Sequence, residues 1–178
     1  MINLEDYIKC YDDVVDQETC KNIVNNINFN DFERARTSDD TEISGFRNCY
    51  QKVLSKEFDK KIYECVGKVL QKYADTFVHF STGLTTEDTG YMHLIYKGSE
   101  KGEYKTHTDH FDLYPRVLSC SFILNDKYDG GDFSFFDGEH VVKKKTGSVV
   151  VFPSNFCFPH AVTPVTNGDR HAIITWIR

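Results

Sequence analysis

Apolar and polar positions follow two different periods along the chain. Over residues 1–80 the apolar positions recur every three or four residues, which lines one face of an α-helix. Asp16 is placed to cap a helix bearing Cys20, Ile23, Val24 and Ile27 on one face, and the Asn-rich residues 25–31 end it. From Ser55 a stronger version begins: Phe58, Ile62, Val66, Val69, Tyr73 and Phe77 predict a long amphipathic helix, with Gly67 its weak point. Residues 31–46, between them, read as loop or short strand. Both helices are expected to support a sheet, and no chemistry is assigned to them.

From Tyr91 the period changes to that of strands. Tyr91–Tyr96 is extended and stops at Lys97-Gly98, and Val117–Leu124 is apolar on both faces, as in a strand covered on both sides. Gly130-Gly131 turns the chain into Asp132–Phe136, and Asp137-Gly138 is a hairpin signal before Val141-Val142. Thr146-Gly147 precedes the apolar run Ser148–Phe152, and His160–Val165 and His171–Ile177 complete the set. Short strands with turns every eight to twelve residues indicate a sandwich or jelly roll rather than a parallel sheet.

Composition narrows the function classes. A chain of 178 residues with 40% hydrophobic and 27% charged positions suits one ordinary globular domain. Its net charge of −6 argues against a nucleic-acid backbone as the main partner, and Lys143-Lys144-Lys145 reads as a solvated turn. The six cysteines form no C-x-x-C pair, which excludes zinc-ribbon and thioredoxin readings and suggests free thiols in a reducing setting. With no signal-like apolar segment at the N-terminus and no run near the roughly 20 residues of a membrane helix, a cytoplasmic protein without membrane contact is expected.

The candidate chemistry centres on His107-Thr108-Asp109. In an extended segment side chains at i and i+2 share a side, so this imidazole and carboxylate can reach one metal ion. His110-Phe111-Asp112 is a second copy of the spacing, so a choice between them needs a third ligand. His160 is the best candidate: it follows Pro159, begins a strand and lies ten residues before Arg170. Two histidines and one carboxylate leave open positions on a metal and are the signature of non-haem Fe(II) oxygenases. An arginine deep in a β-barrel needs an anion, and its planar fork suits a carboxylate.

His107-x-Asp109, then His160-Ala-Val-Thr-Pro-Val-Thr-Asn-Gly-Asp-Arg170 and Trp176, resembles the Fe(II)/2-oxoglutarate-dependent oxygenases of the prolyl 4-hydroxylase type. Gly102-Glu-Tyr104-Lys-Thr-His107 is similar to that family's approach to the first ligand and selects the first His-x-Asp copy. Arg116-Val-Leu-Ser119, Gly130-Gly131-Asp-Phe133 and Gly147–Pro153 are similar to its strand and turn motifs. The likeness covers roughly residues 90–178. It implies an α+β fold, a double-stranded β-helix (jelly roll) with N-terminal supporting helices. It also implies one domain over residues 1–178, mainly helical over 1–80 and catalytic over 90–178. By the same resemblance His107, Asp109 and His160 bind Fe(II), and Arg170 holds the distal carboxylate of 2-oxoglutarate. Tyr96 and Ser119 line the co-substrate pocket, although Ile123 stands where some relatives place a second tyrosine. Ascorbate is a further cofactor the family allows. The implied reaction hydroxylates a prolyl residue in a peptide or protein, releasing succinate and CO2. The alternatives are a lysyl residue, a free amino acid or a small metabolite as target, or a metal-binding jelly roll without turnover. Residues 31–46 and 81–90 are candidate lids.

Strand parity gives an independent expectation. A two-residue turn at Asn167-Gly168 would put His160 and Arg170 on opposite faces of a hairpin. A three-residue turn over Thr166–Gly168 pairs Pro164 with Arg170 and puts both on one face, with Gly168 in the left-handed position. The odd loop is expected. His79, His93, His140 and His171 take structural readings, Cys157 reads as buried filling, and His110 as a group behind the ligands or beside the substrate.

Overall fold

The computed structural model describes residues 3–36, 45–80, 87–110 and 115–178. In chain order its elements are β1 (Lys9–Tyr11), α1 (Gln17–Asn25), β2 (Glu33–Arg34), β3 (Arg47–Asn48), β4 (Tyr50–Val53) and α2 (Lys56–Thr76). There follow β5 (Met92–Lys97), β6 (Glu103–His107), β7 (Leu118–Ile123), β8 (Asp129–Gly130) and β9 (Phe133–Phe135). The last are β10 (His140–Val141), β11 (Val149–Pro153), β12 (His160–Val162), β13 (Val165–Asn167) and β14 (Asp169–Ile177). They form a seven-stranded sheet in the order β1-β11-β7-β14-β5-β4-β2 and a five-stranded sheet in the order β10-β9-β12-β6-β3. A small third sheet pairs β13 with β8. Every pairing is antiparallel, and the fold is the expected jelly roll.

The larger sheet is covered on both faces, which explains its apolar runs. Leu118, Cys120 and Phe122 of β7, with Val149 and Val151 of β11 and Ile173 and Ile177 of β14, share one cluster with Ile62, Val66, Val69 and Tyr73 of α2. The alternate positions Ile123, Val150 and Phe152 face the smaller sheet, where they meet Phe133, Phe135 and Val162. All six residues of β7 are buried, as its two-sided apolar pattern requires. Both helices lie where their periodicity placed them. The Asp16 carboxylate accepts from the Thr19 amide at 2.8 Å at the head of α1, and α2 buries the predicted stripe on the sheet. Fully burying one such Ile or Val stabilises the fold by about 1.5–3 kcal/mol. No described helix is long and apolar enough to cross a membrane.

Three expectations need correction. Residues 1–80 are not simply helical support: β1 extends the larger sheet beside β11, β4 and β2 extend its other edge, and β3 edges the smaller sheet beside β6. These strands are two to four residues long, too short to display a two-residue period. The hairpin expected around Asn167-Gly168 does not form. β12 pairs with β9 and β6, β13 with β8, and β14 with β5 and β7, so the chain crosses between sheets there. Gly168 does take the left-handed conformation, with φ +70°, but it turns a corner between sheets. Cys157 is half-buried rather than core filling. Of the two candidate lids, residues 37–44 and 81–86 lie outside the described residues.

Candidate metal centre and its cleft

His107 closes β6, Asp109 lies two residues beyond it, and His160 opens β12; antiparallel pairing sets His160 directly opposite His107. Their ligand atoms all lie within 4.8 Å of one another. The Asp109 carboxylate stands 3.7 Å from His107 Nε2 and 3.5 Å from His160 Nε2. Each ring is turned by its far nitrogen: His107 Nδ1 sits 2.8 Å from the Lys105 carbonyl and His160 Nδ1 3.1 Å from the Phe158 carbonyl. A carbonyl only accepts, so both Nδ1 atoms carry a proton and both Nε2 atoms face the carboxylate. Burial, then the neighbouring His160, lowers His107 to about 4, so its ring is neutral at physiological pH. Two oriented imidazoles and one carboxylate, with space between them, fit a divalent metal ion.

The carboxylate is braced from the larger sheet. Ser119 Oγ donates to Asp109 Oδ2 at 2.6 Å and lies 2.8 Å from Ser154 Oγ, all of them buried. Arg116 donates to the Asp109 carbonyl at 3.2 Å, and its guanidinium lies 3.7 Å over the Trp176 ring. Burial alone would raise the Asp109 carboxyl. The His160 and His107 rings, the Ser119 hydroxyl and the Trp176 indole N–H outweigh it and hold the group below its ordinary value. That indole N–H faces the carboxylate without closing a hydrogen bond of normal geometry, and it has no other partner.

A cleft of about 340 Å³ opens in front of the triad. Tyr104 stacks on His107 with centroids 3.5 Å apart, and Phe133, Phe135 and Phe152 enclose His160. Arg170, paired with Tyr96 across β14 and β5, lines the same cleft although only 4% exposed. Its guanidinium rests 4.9 Å from the Tyr96 ring and 6.0 Å from the Phe133 ring, and among the described residues it meets no carboxylate. A buried cation without an anion is costly, so the geometry fits a ligand carboxylate arriving there.

The structure therefore brings His107, Asp109, His160, Arg170 and Tyr96 to one cleft, although by a crossing between sheets rather than by a hairpin. Ser119 is placed differently: it stands behind Asp109 rather than in the cleft wall, and Ser121 is the β7 serine that lines the cleft. His110 also lines it. His93 and His171 take structural roles as a buried pair 3.1 Å apart. The sequence reading missed Arg36 and Arg47, which line the cleft, and Ser154 behind Ser119. Arg36 and Arg47 come from loop and very short strand, where no periodicity marks a direction. Arg116 and Trp176 were read only as parts of motifs, without a role.

The sequence profile of the 2OG-Fe(II) oxygenase superfamily matches residues 91–178. A PKHD-type hydroxylase of Psychrobacter sp. is 37% identical over 78 residues, 42% of this chain and 29% of that protein. The chain thus spans less than a third of the length of that curated relative. Among solved structures, a prolyl hydroxylase of Trichoplax adhaerens, in complex with a hypoxia inducible factor oxygen degradation domain peptide fragment, superposes with a TM-score of 0.72. The match is at 18% identity and covers 96% of this chain and 83% of that one. A viral collagen prolyl hydroxylase of Paramecium Bursaria Chlorella virus-1 also reaches 0.72, at 17% identity over 97% and 96% of the two chains. At such identities the likeness speaks to the fold.

Proposed function

We propose that this chain, whose residues 91–178 match the 2OG-Fe(II) oxygenase superfamily, is a 2-oxoglutarate-dependent dioxygenase that hydroxylates a prolyl residue in a peptide or protein. The observation that carries the reading is the meeting of an oriented His107–Asp109–His160 set with an unpaired, buried Arg170 in one cleft. His107, Asp109 and His160 would hold Fe(II) through their Nε2 and carboxylate atoms. Arg170, with the Tyr96 phenol beside it, would receive the distal carboxylate of 2-oxoglutarate by a two-pronged charge-assisted contact. When bound, the iron and 2-oxoglutarate would activate dioxygen, the oxidant, with one oxygen atom going to succinate as CO2 is released and the other to the substrate. The protein's own work is positional. The carbonyls of Lys105 and Phe158 keep both Nε2 atoms facing inward, and Ser119 keeps Asp109 ionised and aimed. The phenylalanines around His160 exclude water from that side. The prolyl target is supported by the fold shared with prolyl hydroxylases, and ascorbate is the reductant we propose for sustained turnover.

The test is succinate release from 2-oxoglutarate with Fe(II), with and without Pro-containing peptides, followed by mass measurement of the peptides. Iron-dependent release in wild type and its loss in Asp109→Ala are expected. Undiminished release in Asp109→Ala would reject the enzyme reading. Release without oxygen incorporation into any proline peptide would reject the prolyl assignment alone.

A further inference from the structure

Among the described residues, the cleft lining holds an arginine that the proposed iron and co-substrate do not use. Among the described residues it is lined by Arg36, Arg47, Arg116 and Arg170 against one carboxylate, Asp109, in a chain of net charge −6. A divalent cation and Arg170 are balanced by Asp109 and the two carboxylates of 2-oxoglutarate. Arg47 remains at the opening, and a cation in a cleft wall concentrates ligands of the opposite charge. Arg36 and Arg116 have partners of their own, Arg116 donating to the Asp109 carbonyl.

Arg47 is the one whose geometry points at a ligand. Its Nη1 donates to the Arg36 carbonyl at 2.9 Å, and its guanidinium lies 4.7 Å over the Tyr104 ring, which is itself stacked on His107. The fork is thereby fixed one ring away from the metal set. Its Nε–H is buried and, among the described residues, closes no hydrogen bond of normal geometry; the Cys49 thiol is the weak acceptor beside the guanidinium. A charged donor left without a partner in a protein wall is expensive, and the acceptor that matches a guanidinium fork is a carboxylate. Among the described residues no carboxylate pairs with it, and its neighbours are Cys49, Tyr96 and Tyr104.

We propose that the substrate carries a carboxylate close to the position hydroxylated, and that Arg47 receives it. The carboxylate belongs either to acidic side chains flanking the target in a peptide or to the target's own α-carboxylate. This substrate class rests on the oxygenase reading above.

The experiment measures binding of labelled peptides to the Mn(II)- and 2-oxoglutarate-loaded protein, with succinate release under Fe(II) run in parallel. Matched Pro-containing peptides carry Asp/Glu, neutral or Lys flanks, and free proline is compared with its amide by competition. Acidic flanks, or proline over its amide, should bind at least about tenfold more tightly than the uncharged or basic counterpart, and salt should shrink the difference. Preference for acidic flanks assigns a peptide side chain; preference confined to proline over its amide assigns the α-carboxylate. Arg47→Gln should remove most of the preference. Arg47→Glu should turn it toward the Lys-flanked peptide, a gain that a misfolded variant could not produce. Equal binding across the panel, no binding at all, or a preference unchanged in Arg47→Gln would overturn the inference, as would an Arg47→Gln defect confined to 2-oxoglutarate. If charge preference appears without iron-dependent succinate, the oxygenase reading fails and the carboxylate site stands. If succinate forms without charge preference, the carboxylate site fails alone.

Discussion

Removing the Ser119 hydroxyl should weaken metal binding by one to two orders of magnitude while leaving the protein folded. Ser119 Oγ is buried in β7, 2.6 Å from Asp109 Oδ2 and 2.8 Å from Ser154 Oγ. A hydroxyl has one hydrogen, so Ser119 donates to the carboxylate and Ser154 donates to Ser119. Ser119→Ala deletes a charge-assisted bond of about 1.5–3 kcal/mol and strands the Ser154 hydroxyl for about 1 kcal/mol more. The void is only one oxygen in size, so the fold should survive. The larger consequence falls on the metal. An outer partner that orients a ligand carboxylate is typically worth about 10- to 100-fold in metal affinity. Ser119 also helps lower the Asp109 carboxyl, so without it the proton competes with the metal at higher pH. Trp176, the one tryptophan in the chain, lines the cleft, so its fluorescence can follow a Mn(II) titration directly. The assay is that titration between pH 5 and 8 for wild type and Ser119→Ala, with urea unfolding of both metal-free proteins. A variant that loses stability yet binds Mn(II) within about twofold of wild type at every pH would refute the reasoning, leaving Ser119 as ordinary core.

Two further outcomes test the frame around the cleft. A Cβ at Gly98 would lie 2.3 Å from the Gly168 carbonyl oxygen, a backbone atom that cannot swing aside, so Gly98→Ala should cost about 3 kcal/mol and about 10 °C of melting temperature; an unchanged melting curve would show that this turn can yield. The His93–His171 pair should make stability fall between pH 7 and 5. Burial first, then His171 and Lys52, lowers His93 to about 3, and burial, with Arg170, lowers His171 to about 4 against the opposing Asp169. Both folded values lie below the unfolded value near 6.5, so the unfolded chain binds more protons as pH drops. The contribution is therefore full above about pH 6.5 and is lost as pH falls toward 4 and then 3. Urea midpoints at pH 7, 6 and 5 should decline, and more shallowly in a His93→Leu/His171→Leu double variant; equal slopes in the two proteins would count against the pair.

What could be read in advance follows from the length of the elements. The α2 stripe spans six apolar positions and β7 six buried ones, so each samples its own period several times. The candidate triad was legible because His107 and Asp109 stand at i and i+2 where β6 ends, and His160 opens a strand after Pro159. The N-terminal strands were not legible, because two to four residues cannot distinguish alternation from chance. Ser119 was placed in the right neighbourhood with the wrong partner. Its sequence position fixes which way it faces, but only the docking of Asp109 decides that the hydroxyl meets the carboxylate instead of the cleft.

The failed hairpin explains why the site nevertheless assembled. Parity along one ribbon cannot place His160 and Arg170 together, because β12 and β14 belong to different sheets. What brings them together is the facing of those sheets. β6 and β12 carry both histidines, with Asp109 just beyond β6, while β5, β7 and β14 carry Tyr96, Ser119, Arg170 and Trp176. Metal donors and anion receptors thus sit on opposite walls, and their spacing is set by the packing of Phe133, Phe135 and Phe152 between the sheets. The candidate site is carried mostly by the longer strands β5, β6, β7 and β14, with His160 on the short β12. The proposed substrate contact rests on Arg47 in the edge strand β3, where a single substitution alters charge without disturbing either wall. Edge substitutions such as Arg47→Glu are therefore where specificity should change first, with the metal centre left intact.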